Sequence, residues 1–150
     1  MLKKFRYTIY AGILTAFVLY NFFPYCIIDK EVQPMLQDFQ VRMWEKCDKQ
    51  IHPTWQIAIE LEDKLKFADK EVIGRCLIKP VGFNIELLRS YWELSTETQK
   101  RELLYHELLH CYLGIKHQKN TLMNEYAMNY NEFDLNEQLN LFLNQACRSK

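Results

Sequence analysis

The chain has 150 residues, enough for one domain with a short appendage. An apolar fraction of 49% and an aromatic fraction of 14% suit a packed core and exclude a disordered chain. The formal net charge is zero, which excludes a broad electrostatic pull on nucleic acid, and there is no nucleic-acid motif, phosphate loop or internal repeat.

In chain order, the N-terminus comes first. Lys3, Lys4 and Arg6 precede a stretch from Tyr7 to Ile28 without a charged residue, strongly apolar from Ile9 to Phe23. Such a run can cross a bilayer with its basic flank in the cytoplasm. Residues 1–28 are therefore expected to form a cytoplasmic tip and a single transmembrane signal anchor, with residues 29–150 as a domain outside the cytoplasm. A cleaved signal peptide is the alternative. The segment Tyr20-Asn21-Phe22-Phe23-Pro24-Tyr25-Cys26 is bulkier than a cleavage site requires. Of the five cysteines, Cys47, Cys76, Cys111 and Cys147 lie in the expected domain. Export permits disulfides among them; spacing selects none of the three full pairings, and buried free thiols are the rival.

Glu31 to Gln50 reads as an amphipathic helix, with Pro34 in its first turn and Met35, Leu36, Phe39, Met43, Trp44 and Cys47 at helical spacing. His52-Pro53 ends it, and His52 reads as a linker residue. Trp55 to Glu62 alternates as a half-buried strand. Asp63 to Glu71 is charge-rich and reads as a loop. Val72 to Ile78 is a second strand broken by Gly74, Lys79-Pro80-Val81-Gly82 a turn, and Phe83 to Leu88 a third strand. Tyr91-Trp92 falls in a loop. Thr121 to Tyr126 forms a compact turn. Phe133 to Ala146 is a final helix, with Phe133, Leu135, Leu139, Leu141, Phe142 and Leu143 available for packing.

The chemistry is carried by His106-Glu107-Leu108-Leu109-His110, followed by Cys111-Tyr112-Leu113-Gly114-Ile115-Lys116-His117. Thr96 with Gln99 reads as a capping box opening a helix, and Gly114 as the left-handed residue that closes it. On that helix His106 and His110 stand one turn apart on one face, where two imidazoles can hold one zinc. Glu107 beside them can act as base on a metal-bound water. At about 100° per residue, Leu104, Tyr105, Leu108, Leu109, Cys111 and Tyr112 form an apolar stripe. His106, Glu107 and His110 fall on the other side with Leu103 and Leu113, so one face packs on a core while the other lines a cleft. The turn at Gly114 can swing His117 back towards the metal. The plain alternative is a surface helix with two solvated histidines.

These residues resemble those of the metzincin group of zinc metallopeptidases, which share H-E-x-x-H-x-x-G-x-x-H and a methionine-containing turn. They are also similar to those of small exported bacterial proteins with an H-E-L-G-H-C-x-L-G-x-x-H motif. The resemblance rests on His106 to His117 and Thr121 to Tyr126; it is weaker upstream and absent for residues 1–30. It implies His106, His110 and His117 as ligands of one catalytic zinc, Glu107 as general base, Gly114 as the glycine turn and Met123 as the methionine of the turn. Three residues separate His110 from Gly114 where the common pattern has two. Tyr126, three residues after Met123, stands one residue later than the tyrosine that some metzincins use on the metal or the oxyanion. The implied fold is α+β and zincin-like: a small mixed sheet, an N-terminal helix, an active-site helix, a Met-turn and a C-terminal helix.

The expected function is that of a zinc-dependent endopeptidase acting on a peptide or protein. Zinc lowers its water's pKa towards about 7, Glu107 takes the proton and later delivers it to the leaving amine. The resemblance also implies an extended substrate along a sheet edge, with Phe83–Leu88 as the candidate strand. Two alternatives stand. A gluzincin-type peptidase would take its third ligand from Glu132 or Glu125. A membrane-tethered zinc-binding protein without enzymatic activity would keep the metal and hydrolyse nothing.

Overall fold

The structure is a computed structural model that describes residues 27–47, 57–80, 82–125 and 130–148. The fold is mixed α+β, as expected: among the described residues a four-stranded sheet, a two-stranded hairpin and four helices. No described helix is long and apolar enough to cross a membrane. The signal anchor expected over 1–28 lies outside the described residues up to residue 26. Ile27 and Ile28, read as its end, instead form β1 and pair with Ala58 and Ile59.

The main sheet runs β1–β2–β6–β5, with β2 Ile57–Glu62, β5 Gly74–Ile78 and β6 Phe83–Leu88. β1, β2 and β6 are parallel, and β5 runs antiparallel to β6. Register sets the faces, because directly paired residues project to the same side. Ile57, Ile59 and Leu61 pair with Phe83, Ile85 and Leu87, and all six join the core under the helices. On the opposite side Arg75 pairs with Glu86 and forms an ion pair with it.

Phe83–Leu88 is thus an inner strand, not a sheet edge; the edges are β1 and β5. Strand order depends on tertiary pairing, which the local pattern of β6 does not encode. Asp63 to Glu71 also differs from the expected loop. It holds a hairpin of β3 Lys66–Phe67 and β4 Lys70–Glu71, turned by Ala68 and Asp69, both at positive φ. That is the backbone of a two-residue hairpin turn made without the glycine that usually signals one.

Helix α1, Gln33–Cys47, buries Met35, Leu36, Phe39 and Met43 as its periodicity predicts. Trp44, placed on the same stripe by spacing, is 46% exposed. Tyr91 and Trp92 belong to a short helix α2, Arg89–Leu94, rather than a loop. Its fully buried Trp92 donates from Nε1 to Glu31 at 3.1 Å, fastening α2 to the start of the domain. Helix α4, Glu132–Arg148, buries Leu135, Leu139, Phe142 and Leu143 but leaves Phe133 and Leu141 in solvent.

The central element is α3, Glu97–Leu113, which packs on the inner face of β5 and β6 and against α1 and α4. Both expected caps are present. Thr96 accepts from the Gln99 N–H while the Gln99 side chain accepts from the Thr96 N–H, and Gly114 takes φ 63° at the other end. Fully buried Tyr105 donates to Asp38 on α1.

Candidate metal centre

His106 and His110 project from consecutive turns of α3, and the turn after it returns His117. The helix runs to Leu113, so the extra residue lengthens its last turn. Left-handed Gly114 then reverses the chain, its N–H bonded back to the His110 carbonyl. The His117 Nε2 comes to rest 3.3 Å from Nε2 of His106, which is itself 3.0 Å from Nε2 of His110. Among the described residues, these three are the one group of at least three histidines, cysteines or carboxylates placed to hold a metal.

Backbone carbonyls set the orientation of two rings. His106 Nδ1 lies 2.8 Å from the Leu122 carbonyl, and His110 Nδ1 lies 2.5 Å from the Ile115 carbonyl. A carbonyl only accepts, so each Nδ1 carries the proton and each Nε2 presents a bare lone pair. Two such lone pairs 3.0 Å apart repel one another. A cation between them converts that repulsion into coordination. Nitrogens at about 2.0–2.1 Å from a tetrahedral zinc stand about 3.3 Å apart, close to the spacing seen. The donor set therefore fits a divalent metal. The carbonyl partners are the support that metal-binding imidazoles require behind them.

The Leu122 carbonyl belongs to the compact turn expected at Thr121–Tyr126. The Thr121 hydroxyl accepts from the Met123 N–H, the Asn124 N–H bonds the Thr121 carbonyl, and the Gln118 N–H bonds the Met123 carbonyl. Leu122 and Met123 are both buried in the core. This turn thus contributes buried side chains to the core and the acceptor that orients His106. Tyr126 lies outside the described residues, as does His52.

The carboxylates of the alternative ligand set are elsewhere. Glu132 is mostly exposed and pairs with Arg101 at 3.0 Å; Glu125 is exposed; neither joins the three-imidazole group.

Glu107 departs from the expected split of α3 into a core face and a cleft face. It is 5% exposed and Leu103 only 6%, both turned towards β5. Leu103, Glu107 and Cys111 succeed one another at four-residue intervals, one stripe on the helix. Gly74 and Cys76, two apart, share the face of β5 opposite it. A Cβ on Gly74 would lie 2.7 Å from Glu107 Oε1 and 2.9 Å from Leu103 Cδ1. Gly74 is the residue that makes room for the carboxylate. In the sequence it showed only as an interruption of a strand, a pattern that also marks close approach of another group. Cys76 meets Cys111 in a disulfide, and Cys147 is disulfide-bonded as well. The spacing of the cysteines had selected neither bond.

Burial holds Glu107 up at about 8, so it retains a proton at neutral pH. Burial pushes His106 down to about 4, with help from the charges on His110 and His117 and against its bond to Leu122. His110 is lowered by burial and by His117. Both histidines are thus neutral and ready to ligate at physiological pH.

These shifts predict the stability profile of the metal-stripped chain. Unfolded His106 takes up its proton near 6.5, whereas the folded residue waits until about 4. Its contribution is full above pH 6.5 and lost as pH falls to 4, on the order of 3 kcal/mol. Glu107 has the opposite sign: its contribution is full below 4.5 and lost as pH rises to about 8. The two oppose each other between 4.5 and 6.5. Above 6.5 only Glu107 acts, so the unfolding midpoint in chelator should fall from pH 6.5 to 8. A midpoint that climbs across that range would contradict the assignment.

Searches of curated proteins and of solved structures give no match. Residues 26–138 match the family model described as "Putative phage metallopeptidase". That span takes in the four-stranded sheet, the histidine helix, the turn after it and the first residues of α4, so the chain belongs to the family of that description.

Proposed function

We propose that the chain is a zinc-dependent endopeptidase of the metzincin type, with His106, His110 and His117 as the ligands and Glu107 as the general acid–base. The observation that carries this reading is the approach of three ring nitrogens, two of them fixed as bare lone pairs by the Leu122 and Ile115 carbonyls. Family membership supports metal-dependent peptide hydrolysis in general.

Zinc held by three neutral imidazoles supplies Lewis acidity to an oxygen nucleophile and to a substrate carbonyl. The protein supplies the proton transfers. Glu107, protonated at neutral pH in the metal-free chain, would act as base once a bound cation favours its ionised form, accepting a proton at Oε and returning it to a leaving amine. Gly74, with no side chain, leaves on β5 the space that the carboxyl occupies. An extended peptide finds main-chain partners on the open side of β5, an edge strand, since β5 is paired only through β6 among the described residues.

The test is turnover of an unstructured protein by the zinc-loaded chain. Hydrolysis that disappears with a chelator and returns with zinc is the expected result. A chain that binds zinc and cleaves nothing across a broad substrate panel would replace this reading with that of a non-enzymatic zinc-binding protein.

A further inference from the structure

The Cys76–Cys111 disulfide joins two elements with different tasks in the proposed reaction, and this inference rests on that reading. Cys111 directly follows the candidate ligand His110 on α3. Cys76 lies on β5, two residues beyond the Gly74 that receives Glu107. β5 has hydrogen-bonded neighbours on one side only, and edge strands open more readily than inner ones. Two of the imidazoles, His106 and His110, have their own support from the Leu122 and Ile115 carbonyls, both outside β5 in the sequence. Both cysteines are intermediate in burial.

We propose that Cys76 and Cys111 are positioning residues: their bond holds the substrate-binding edge and the Glu107 carboxylate in register with the three-histidine cluster, and its reduction weakens peptide binding and hydrolysis while the metal stays bound. A water-soluble trialkylphosphine performs the reduction. Phosphorus attacks one sulfur, the S–S bond breaks, water delivers the oxygen of the phosphine oxide, and the two sulfurs leave as thiols.

The experiment compares the zinc-loaded wild type with Cys76→Ser/Cys111→Ser, each before and after phosphine. Metal content, peptide KM and kcat, and amide exchange along β5 are read together. Reduced wild type is expected to keep its zinc, to raise KM about tenfold or more, and to exchange its β5 amides faster. The double variant should show these values from the start and no further change with phosphine, which separates this bond from that of Cys147. Reoxidation of the wild type should restore the original KM.

A double variant with wild-type KM and kcat would overturn the proposal, as would zinc loss on reduction, because the bond would then serve the metal site itself. If the double variant fails to fold, reduction and reoxidation of the wild type decide alone: an unchanged KM overturns the proposal. Oxidised wild type that hydrolyses nothing overturns the peptidase reading and this inference with it; active wild type indifferent to reduction overturns only the latter.

Discussion

Glu107→Gln is expected to lower turnover by about 10²–10⁴-fold while the chain still takes up its metal. The amide matches the carboxyl in shape, so Leu103 and Gly74 keep their contacts, but it cannot take or return a proton. The substitution also removes the cost of burying a charge that only 5% exposure to solvent imposes. In chelator at pH 8 and above, where wild-type Glu107 is forced to ionise, the variant should therefore unfold at a higher temperature than wild type. Lower activity with higher stability is the signature of a group held at an energetic cost for its chemistry. Paired measurements of peptide turnover and thermal midpoint read both effects. Turnover within tenfold of wild type would assign the proton transfers to another residue.

Gly74→Ala is the second large effect, and it acts through the same carboxylate. The added methyl would stand 2.7 Å from Glu107 Oε1 and 3.1 Å from its Cγ, well inside contact distance. Leu103 blocks the other direction at 2.9 Å. The carboxylate must move or α3 must shift away from β5. Overpacking of this kind costs about 1–3 kcal/mol of stability. The effect on turnover should be larger, about tenfold or more, because displacement of a reacting group by about 1 Å is severe. Metal uptake should survive, since His106 and His110 are oriented from the turn at Leu122 and from Ile115 rather than from β5. Metal content together with kcat checks this: loss of metal with retained kcat per bound ion would reverse the roles of β5 and the turn.

Much of this site was legible in the sequence because its determinants are local. The capping box at Thr96 and Gln99 and the left-handed Gly114 fix both ends of α3, and the interval between His106 and His110 then sets one shared face. The position of His117 follows from the reversal at Gly114, even with one residue more than the common metzincin spacing. The apolar patterns of α1, β2, α3 and α4 likewise identified most of the core.

What escaped the sequence depends on tertiary pairing or on backbone shapes with no local signal. β6 is an inner strand because it pairs with both β2 and β5, leaving β5 and β1 at the edges, a fact about strand order. The hairpin at Ala68-Asp69 uses positive φ at two residues other than glycine, so its charged composition resembled a loop. Arg89–Leu94 is too short to display helical periodicity. Trp44, Phe133 and Leu141 are apolar at helical spacing yet exposed, since periodicity identifies a stripe and not its width. Glu107 was placed in a cleft with the histidines; its burial against β5 became visible only with Gly74 opposite.

The most direct test of the account is metal stoichiometry measured by elemental analysis on the zinc-dialysed wild type and on His117→Ala. Wild type should hold about one zinc per chain and the variant almost none, because two imidazoles alone leave zinc short of the three protein ligands a catalytic site uses. Stoichiometric zinc in the variant would remove His117 from the site and contradict the three-histidine centre on which the proposed function is built.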